Sequence, residues 1–299
     1  MATTDLAGMR RKFADKLKTL RLVSDMTDDI DRIYMPLANM IAVGLGSDKM
    51  HVIGVNGAQG AGKTSFCELM KIVLEEGFGK RVLCLSIDDL YLSHADREKL
   101  ARQIHPLLKT RGVPGTHYVE KGLKLLHDLA AAGPSTQIRI PRFDKATDDV
   151  VPESRCDVWV GRPDVVLFDG WFMGAEEQPL SDLLNPINDL EKNEDKDAVW
   201  RTYVNLQLKT EYSKLFDELS LLVMLKVPSM EKVYEWRELQ ENKLRAATEG
   251  WENLRVMTPE EVRRFIAHYE RLTSWMLQEM PQRADVLLMV NEDHRICLP

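Results

Sequence analysis

Short, almost wholly apolar segments alternate with amphipathic ones along most of the chain, and the apolar ones predict strands buried on both faces of a sheet. These predicted strands are 51–56, 81–87, 164–170, 219–227 and 284–291, with a shorter one at 137–141. Apolar residues at helical spacing predict helices over 6–45, 64–77, 119–133, 198–218, 229–247 and 258–280. The alternation of strands and helices indicates an α/β fold with a mainly parallel sheet and helices on both faces.

Some stretches give no such pattern. Residues 88–118 are predicted to be loop-rich, and the charged run 190–197 is predicted to be a solvated loop. Asn185, Asn188 and Asp189 are interpreted as turn-making residues before that run. The helix predicted at 258 begins with Thr-Pro-Glu-Glu, a capping residue followed by proline and acids, which is a typical helix start.

Composition is that of an ordinary globular protein, with 299 residues of which 44% are hydrophobic and 29% charged. We expect a single domain over 1–299, with 1–48 as a helical extension packed on it. The formal net charge of -7 argues against non-specific binding of nucleic acid, which usually needs a basic surface. A few local Lys and Arg side chains can still hold a small anion.

Cysteine usage and hydropathy indicate a cytoplasmic protein. Cys67, Cys84, Cys156 and Cys297 are scattered without a CxxC pair, so neither a zinc site nor a disulfide framework is expected. No apolar run approaches the roughly 20 residues of a membrane helix, and the first residues lack a signal-peptide core. We expect no membrane or nucleic-acid partner, and a monomer or weak homo-oligomer.

A glycine-rich segment between the strand 51–56 and the helix 64–77 fits the pattern G-x-x-x-x-G-K-[ST]. Its residues are Gly57, Ala58, Gln59, Gly60, Ala61, Gly62, Lys63 and Thr64, followed by Ser65. Backbone N–H groups of such a loop and the positive end of the helix bind phosphate. Lys63 is predicted to reach the β- and γ-phosphates, and the Thr64 hydroxyl to ligate Mg²⁺. The segment therefore predicts a P-loop NTPase that binds MgATP.

Acidic residues follow two of the predicted strands. Asp169 follows four apolar residues of a predicted strand. At the carboxyl end of the sheet a carboxylate can contact Mg²⁺ or its water, although Asp169 could also be an ordinary strand-ending aspartate. Asp88 and Asp89 follow the strand 81–87, and strand ends of open α/β sheets face the ligand crevice. An aspartate there can accept the proton of a substrate hydroxyl, with Asp88 the first choice and Asp89 the second. The alternative for this pair is an acidic turn that caps the next helix.

Together these segments resemble the P-loop small-molecule kinases that include uridine kinase, phosphoribulokinase and bacterial pantothenate kinase. Within that group the chain is most similar to the D-glycerate 3-kinase family of plants and bacteria. The resemblance covers nearly everything after residue 50, in the order of the family. It depends on VIGVNGAQGAGKT (52–64), SIDDLYL (86–92), RGVPGTH (111–117), PRFDKATDD (141–149), VVLFDGWFMG (165–174), NPINDLE (185–191), WRELQE (236–241) and ADVLLMVNEDHRI (284–296).

The resemblance implies a kinase fold with a helical lid and a pocket for a small hydroxy acid. It places Asp88 beside the acceptor hydroxyl and puts Arg111, His117, Arg142 and Lys145 around the pocket. Asp89 and Tyr91, from the same segment as Asp88, are also predicted to bind the acceptor. Glycerate carries a carboxylate and two hydroxyls, so its pocket needs a cation and a base. Taken singly, each Arg or Lys could instead be a solvated surface charge, and His117 could be structural.

The same resemblance makes Arg237 a lid arginine that neutralises charge on the transferred phosphoryl group, with Lys243 and Arg245 as lesser candidates. An i,i+4 pair of Arg237 with Glu241 on the helix surface is the competing interpretation. Tyr118 departs from the family, which has an acid after GTH, so the affinity or the acceptor could differ.

The predicted activity is transfer of the γ-phosphoryl group of MgATP to D-glycerate, which gives 3-phosphoglycerate. Lys63, Asp88, Asp169 and Arg237 are the predicted catalytic residues. A kinase of the same fold for a nucleoside or pantothenate is the nearest alternative. A nucleotide switch or chaperone is a more distant one, since the chain has no NKxD segment for guanine.

Overall fold

The computed structural model of the protein describes residues 5–20, 22, 27–46, 49–247 and 257–299, with only the backbone of 243–247. Its helices are α1 Leu6–Thr19, α2 Met35–Asn39, α3 Lys63–Ile72, α4 His94–Gln103, α5 Val119–Ala130, α6 Asp189–Glu194, α7 Val199–Gln207, α8 Ser213–Phe216, α9 Met230–Ala247 and α10 Pro259–Glu279. Its strands are β1 His51–Gly57, β2 Val82–Ser86, β3 Gln137–Arg139, β4 Phe143–Asp144, β5 Asp149–Val150, β6 Val158–Val160, β7 Val165–Gly170, β8 Leu221–Lys226, β9 Val286–Val290 and β10 Ile296–Cys297. Wider helical turns continue α3 over Val73–Gly77 and join α7 to α8 over Leu208–Tyr212.

Six strands form the main sheet in the order β10–β9–β8–β1–β7–β2. Five of them run parallel, and only β10 runs antiparallel, to β9. Asp169 of β7 is in register with Val55 of β1 and with Ser86 of β2. The carboxyl ends of these three strands therefore lie side by side, and the P-loop follows β1 at that end.

Helices cover both faces of this sheet. On one face, Phe13 of α1 and Phe66 of α3 are buried in one apolar cluster with alternate residues of β1 and β7. On the other face, Leu126 of α5 and Met276 of α10 join a second cluster with the intervening strand residues. The predicted α/β sandwich with a mainly parallel sheet is confirmed. Thr258 also forms the expected capping box at the start of α10.

The stretch 88–118, predicted to be loop-rich, also contains the helix α4, which the sequence did not predict. Leu100 is the only large apolar residue of α4, and the segment therefore lacks the apolar periodicity that marks a helix. The hydroxyl of Ser93 caps the helix by accepting the N–H of Asp96 at 3.1 Å. The inward side of α4 carries a charged residue, Arg97, with 2% of its surface exposed.

The charged run 190–197 is also not a solvated loop, because its first residues belong to α6. Asn188 caps α6, and Glu191 and Asp195 are buried at 0% and 1% exposure. Arg271 pairs with Glu191 at 2.7 Å, and Arg201 pairs with Asp195 at 2.8 Å. Arg271 stands 80 residues from Glu191, and Arg201, although only six residues from Asp195, forms no pattern that marks this acid as buried, so the local sequence did not predict the pairs.

The smaller strands form separate sheets. The strand predicted at 137–141 is present as β3, but it pairs antiparallel with β6 and not with the main sheet. Strands β4 and β5 form a second antiparallel pair, whose connection is residues 145–148. Two-residue strands such as β4, β5 and β10 are too short for an apolar pattern to predict.

The state of the cysteines and the character of the helices can also be read from the structure. All four cysteines are free thiols. None of the helices in the described ranges is long and apolar enough to cross a membrane.

Candidate functional site

The glycine-rich segment lies between β1 and α3, which is the strand–loop–helix context that a P-loop requires. Gly60 and Gly62 have φ values of 83° and 85°, in the left-handed region where other residues are strained. Gly60 also lies against Trp236 of α9, with 3.4 Å between its ideal Cβ position and the Trp236 Cβ. These glycines allow the loop to wrap over the start of α3, where a phosphate can meet several backbone N–H groups.

Lys63 at the start of α3 lies folded back on this loop. Its Nζ donates to the carbonyl oxygens of Gly57 at 2.7 Å and Ala58 at 3.2 Å. Burial lowers the pKa of Lys63, while the charges of Asp169 and Asp88 act in the opposite direction. A charged ammonium beside the phosphate loop that is held only by neutral carbonyls can exchange them for phosphate oxygens.

Asp169 and Thr64 lie together at the end of β7. The Asp169 carboxylate accepts from Ser86 Oγ at 2.8 Å and from Thr64 Oγ1 at 3.4 Å. Burial raises the pKa of Asp169, and Lys63 and the Ser86 hydroxyl counteract it. Ser86 is a contact that sequence reasoning missed. Its place in register with Asp169 is the signal that could have revealed it.

This pair fits a Mg²⁺ ion that arrives with a nucleotide. The residues of the described ranges hold no group of three or more His, Cys, Asp or Glu side chains that could bind a metal alone. Mg²⁺ commonly takes one or two protein oxygens and completes its shell with phosphate oxygens and water. A hydroxyl and a carboxylate beside a phosphate loop supply that number of ligands.

Asp88 lies just after β2 and has two direct partners. Tyr91 Oη donates to one carboxylate oxygen at 2.8 Å, and Lys145 Nζ lies 2.7 Å from the other. Burial alone would raise the pKa of Asp88, but the charge and hydrogen bond of Lys145, together with the Tyr91 hydroxyl, leave it below its ordinary value. Asp88 is therefore ionised at neutral pH, as a proton acceptor must be.

Asp89 makes a different set of contacts. Arg142 Nη1 lies 2.8 Å from its carboxylate, and the backbone N–H of Phe143 donates to it at 3.3 Å. Burial raises the pKa of Asp89, and Arg142 counteracts this. Asp89 thus anchors the strand β4, whose hairpin carries Lys145 to Asp88. The geometry suits Asp88 better than Asp89 for the role of base.

Arg111 belongs to an ion cluster around Asp148, at the end of the same hairpin. Its guanidinium pairs with the Asp148 carboxylate and lies 5.4 Å from the centre of the Phe143 ring. Asp148 has a φ of 56° and also receives Arg97 at 2.9 Å. Arg111 therefore flanks the hairpin with its charge already paired, and an acceptor carboxylate would compete with Asp148 for it.

Sequence reasoning missed Arg97, which holds this region together. Its three nitrogens donate to the carbonyl oxygens of Leu92 at 3.2 Å, Lys109 at 2.8 Å and Asp148 at 2.8 Å. A nearly fully buried arginine with four such contacts connects three loops. The only local signal was a charged residue on a segment without apolar periodicity.

Arg97→Gln is expected to loosen the hairpin and to destabilise the protein by about 2–4 kcal/mol, since the Asp148 partner and three carbonyls lose their donor. The acceptor KM is expected to rise about tenfold, while the KM for ATP changes little. Arg102→Gln is the matched control, because Arg102 lies on the same helix with 72% of its side chain exposed. Thermal unfolding and steady-state kinetics measure both effects. Equal changes in the two KM values would contradict the assignment.

His117 is buried beside Asp88 and Tyr91. Its ring centre lies 4.5 Å from that of Tyr91, and its Nδ1 lies 2.7 Å from the hydroxyl of Tyr212. Burial lowers the pKa of His117 to about 3, although Asp88 raises it, so the ring is neutral. Tyr118, where the family has an acid, donates its hydroxyl to Asp96 of α4.

Arg237 pairs with Glu241, as the interpretation that competes with a lid role expects. Its Nη2 donates to the buried Glu241 carboxylate, its Nη1 donates to Gln240 at 3.1 Å, and its guanidinium lies 5.4 Å from the Phe265 ring centre. The lid role of Arg237 stays a prediction. The side chains of Lys243 and Arg245 lie outside the described residues.

The structure brings most of the predicted residues to one end of the sheet. Asp88, Asp169 and Lys63 influence one another electrostatically, which places the P-loop and the predicted base in one site. Lys145 joins them through an ion pair with Asp88, and Arg142 pairs with the adjacent Asp89. Arg111, His117 and Tyr91 line the adjoining region, whereas Arg237 is held on α9. The arrangement offers a phosphate loop, a hydroxyl and carboxylate for a metal, and an ionised carboxylate among cations.

Comparisons with known proteins agree with this geometry. No family model matches the chain. The "Uncharacterized kinase mug58" of Schizosaccharomyces pombe is 29% identical over 228 residues, or 73% of this chain and 78% of that protein. The "Probable ATP-dependent kinase TDA10" of Saccharomyces cerevisiae is 29% identical over 229 residues, or 72% and 73%. A pantothenate kinase of Lactococcus lactis subsp. cremoris is 22% identical over 94% of this chain and 88% of its own.

Among solved structures, the D-glycerate 3-kinase of Cryptococcus neoformans var. grubii superposes with a TM-score of 0.69 at 24% identity. The match covers 88% of this chain and 97% of that one. At this identity it shows the shared fold. Together the comparisons show that this chain is similar in sequence to proteins named as kinases, among them a pantothenate kinase, and shares its fold with a solved kinase structure.

Proposed function

We propose that this chain is an ATP-dependent kinase that transfers the γ-phosphoryl group to a hydroxyl of D-glycerate and forms 3-phosphoglycerate. The observation that carries the proposal is the ionised Asp88 beside the P-loop, with Lys145 at 2.7 Å and Arg142 on the adjacent Asp89. A small hydroxy acid needs a base for its hydroxyl and a cation for its carboxylate, and this arrangement has both.

The side chains that remain accessible favour a small acid over a nucleoside. The rings near Asp88, those of Tyr91, His117 and Phe143, are buried and packed on one another. Their faces are therefore already used for packing, and a nucleobase would find no free one among them. Lys145 and Arg142 keep 60% and 35% of their side chains exposed. A carboxylate is the chemistry that such cations recognise.

In the proposed reaction, Asp88 accepts the proton of the acceptor hydroxyl as the hydroxyl oxygen attacks the γ-phosphorus. The bond from this phosphorus to the β–γ bridging oxygen breaks, and ADP leaves. Lys145 leaves its ion pair with Asp88 and binds the acceptor carboxylate instead. Asp88 is then free to accept the proton. Lys63 exchanges the carbonyls of Gly57 and Ala58 for phosphate oxygens and balances their charge. Thr64 and Asp169 would hold the Mg²⁺, which would supply charge neutralisation of the phosphates when bound.

The comparisons support this proposal at two levels. A yeast relative bears a name that says ATP-dependent kinase, in agreement with the P-loop. The fungal protein of the same fold is a D-glycerate 3-kinase, in agreement with the cations around Asp88. One relative is a pantothenate kinase, and pantothenate is itself a hydroxy acid. Pantothenate is therefore the competing acceptor to test.

An acceptor panel tests the proposal. The purified protein is given MgATP with D-glycerate, L-glycerate, pantothenate or uridine, each alone, and ADP release is measured. We expect turnover with D-glycerate to exceed that with every other acceptor. Preferred turnover of pantothenate or uridine would keep the kinase and replace the acceptor. Slow ADP release that no acceptor accelerates would indicate a nucleotide switch instead.

A further inference from the structure

A buried polar contact connects the acceptor region to the segment between α7 and α8, outside every motif of the sequence. Tyr212 in this segment is fully buried. Its hydroxyl receives the backbone N–H of Gly115 at 2.9 Å and lies 2.7 Å from His117 Nδ1. A buried polar contact of this kind fixes where each proton must lie.

The proton positions follow from the donors available. The N–H of Gly115 can only donate, so the Tyr212 oxygen accepts that bond. Burial raises the pKa of Tyr212, so its hydroxyl keeps its single proton. Among the described residues that proton has one acceptor within reach, His117 Nδ1. If Nδ1 carried a proton instead, the Tyr212 proton would be buried without a partner, at a cost of about 1–3 kcal/mol.

The His117 ring therefore presents an N–H at its other nitrogen. The ring is neutral, and with Nδ1 as acceptor the remaining proton is on Nε2. Nε2 is buried and has no hydrogen-bond partner in the described part of the chain. The same ring packs on Tyr91, whose hydroxyl donates to Asp88. An unpaired N–H beside the predicted base is thus a donor that the folded protein alone leaves unused.

We propose that Tyr212 is a positioning residue that holds His117 in the Nε2–H tautomer, so that Nε2–H donates to an oxygen of the acceptor. The inference rests on the proposed function and deepens it. It specifies that the acceptor offers a lone pair, on a carboxylate or hydroxyl oxygen, at that point. Because Nε2 is enclosed before binding, the acceptor reaches it through movement of Tyr91, whose ring packs on that of His117.

The tautomer can be measured without any turnover. In protein labelled with ¹⁵N-histidine, the His117 signals are identified by their loss in His117→Asn. We expect wild-type His117 to show an unprotonated Nδ1 and a protonated Nε2 at neutral pH. Tyr212→Phe removes the proton donor to Nδ1 and is expected to yield a mixture of both tautomers. A protonated Nδ1 in the wild type, or an unchanged spectrum in Tyr212→Phe, would overturn the inference.

Kinetics test the consequence for the acceptor. Tyr212→Phe is expected to raise the acceptor KM about fivefold or more while the KM for ATP stays the same. Tyr234→Phe serves as control, because this hydroxyl contacts Glu270 at 3.3 Å. His117→Gln keeps an N–H donor near the Nε2 position and is expected to bind the acceptor better than His117→Asn. Weaker acceptor binding by His117→Gln than by His117→Asn would contradict the donor role. This comparison does not depend on Tyr212→Phe and remains available if that variant folds poorly. Absence of turnover with every acceptor refutes the proposed function, whereas the spectrum judges the tautomer separately.

Discussion

Asp88→Asn is expected to lower kcat for glycerate by about 10²–10⁴-fold, because the amide cannot accept the proton of the attacking hydroxyl. The substitution keeps the shape of the side chain and its contact with Tyr91. The KM for ATP is expected to change little, since Asp88 does not touch the P-loop backbone. Steady-state ADP release with saturating MgATP measures both parameters.

Two other aspartates serve as comparisons for this result. Asp128→Asn, on the surface of α5 where Asp128 pairs with Lys124, is expected to leave kcat unchanged. Asp89→Asn is expected to raise the acceptor KM more than it lowers kcat, because Asp89 anchors β4 through Arg142. A loss of kcat in Asp89→Asn as large as in Asp88→Asn would refute the assignment of the base.

The pH dependence follows from the same carboxylate. Because the pKa of Asp88 is lowered, its ionised form persists to lower pH than that of an ordinary aspartate. The acid limb of kcat/KM is therefore expected at lower pH than an aspartate of ordinary pKa would give, as far as Asp88 determines it. In Lys145→Met, burial still raises the pKa of Asp88, but the charge and hydrogen bond of Lys145 no longer lower it. The acid limb is therefore expected to move to higher pH. An unmoved limb in Lys145→Met would show that Lys145 does not set the ionisation of Asp88.

Lys63→Met is expected to lower kcat by about 10²–10³-fold, because the developing charge on the transferred phosphoryl group loses its buried cation. Methionine keeps the apolar length of the side chain, so the helix start should persist. Lys71→Met is the matched control on the same helix, where Lys71 pairs with Glu75 at 3.6 Å. Wild-type turnover by Lys63→Met would contradict the use of this P-loop in catalysis.

The sequence predicted the parts of the fold that have strong local patterns. Strands β1, β7 and β8 contain the uninterrupted apolar runs 52–55, 165–168 and 221–225, which are buried on both faces, and so their composition alone indicates them. The sequence did not predict α4, because Leu100 is the only large apolar residue of this helix. The run 190–197 was interpreted as solvated because its charges alone do not reveal that Glu191 pairs with Arg271, 80 residues away, or that Asp195 is buried against Arg201.

The candidate site shows the same division. The P-loop and the strand-ending Asp88 and Asp169 could be predicted, because the sheet topology brings the carboxyl ends of adjacent strands together. The contacts that hold the site could not. Arg97 connects loops up to 51 residues apart in sequence, and Tyr212 reaches His117 across 95 residues. Side-chain contacts over such separations depend on tertiary packing and leave no local pattern.

The fate of the γ-phosphate tests the central claim most directly. The protein is incubated with MgATP and D-glycerate, and ³¹P NMR follows whether phosphorus appears as a phosphomonoester or as inorganic phosphate. We predict a phosphomonoester on the terminal carbon of glycerate, formed in step with ADP and strongly reduced in Asp88→Asn. Inorganic phosphate as the sole product, at the same rate with and without glycerate, would contradict the account.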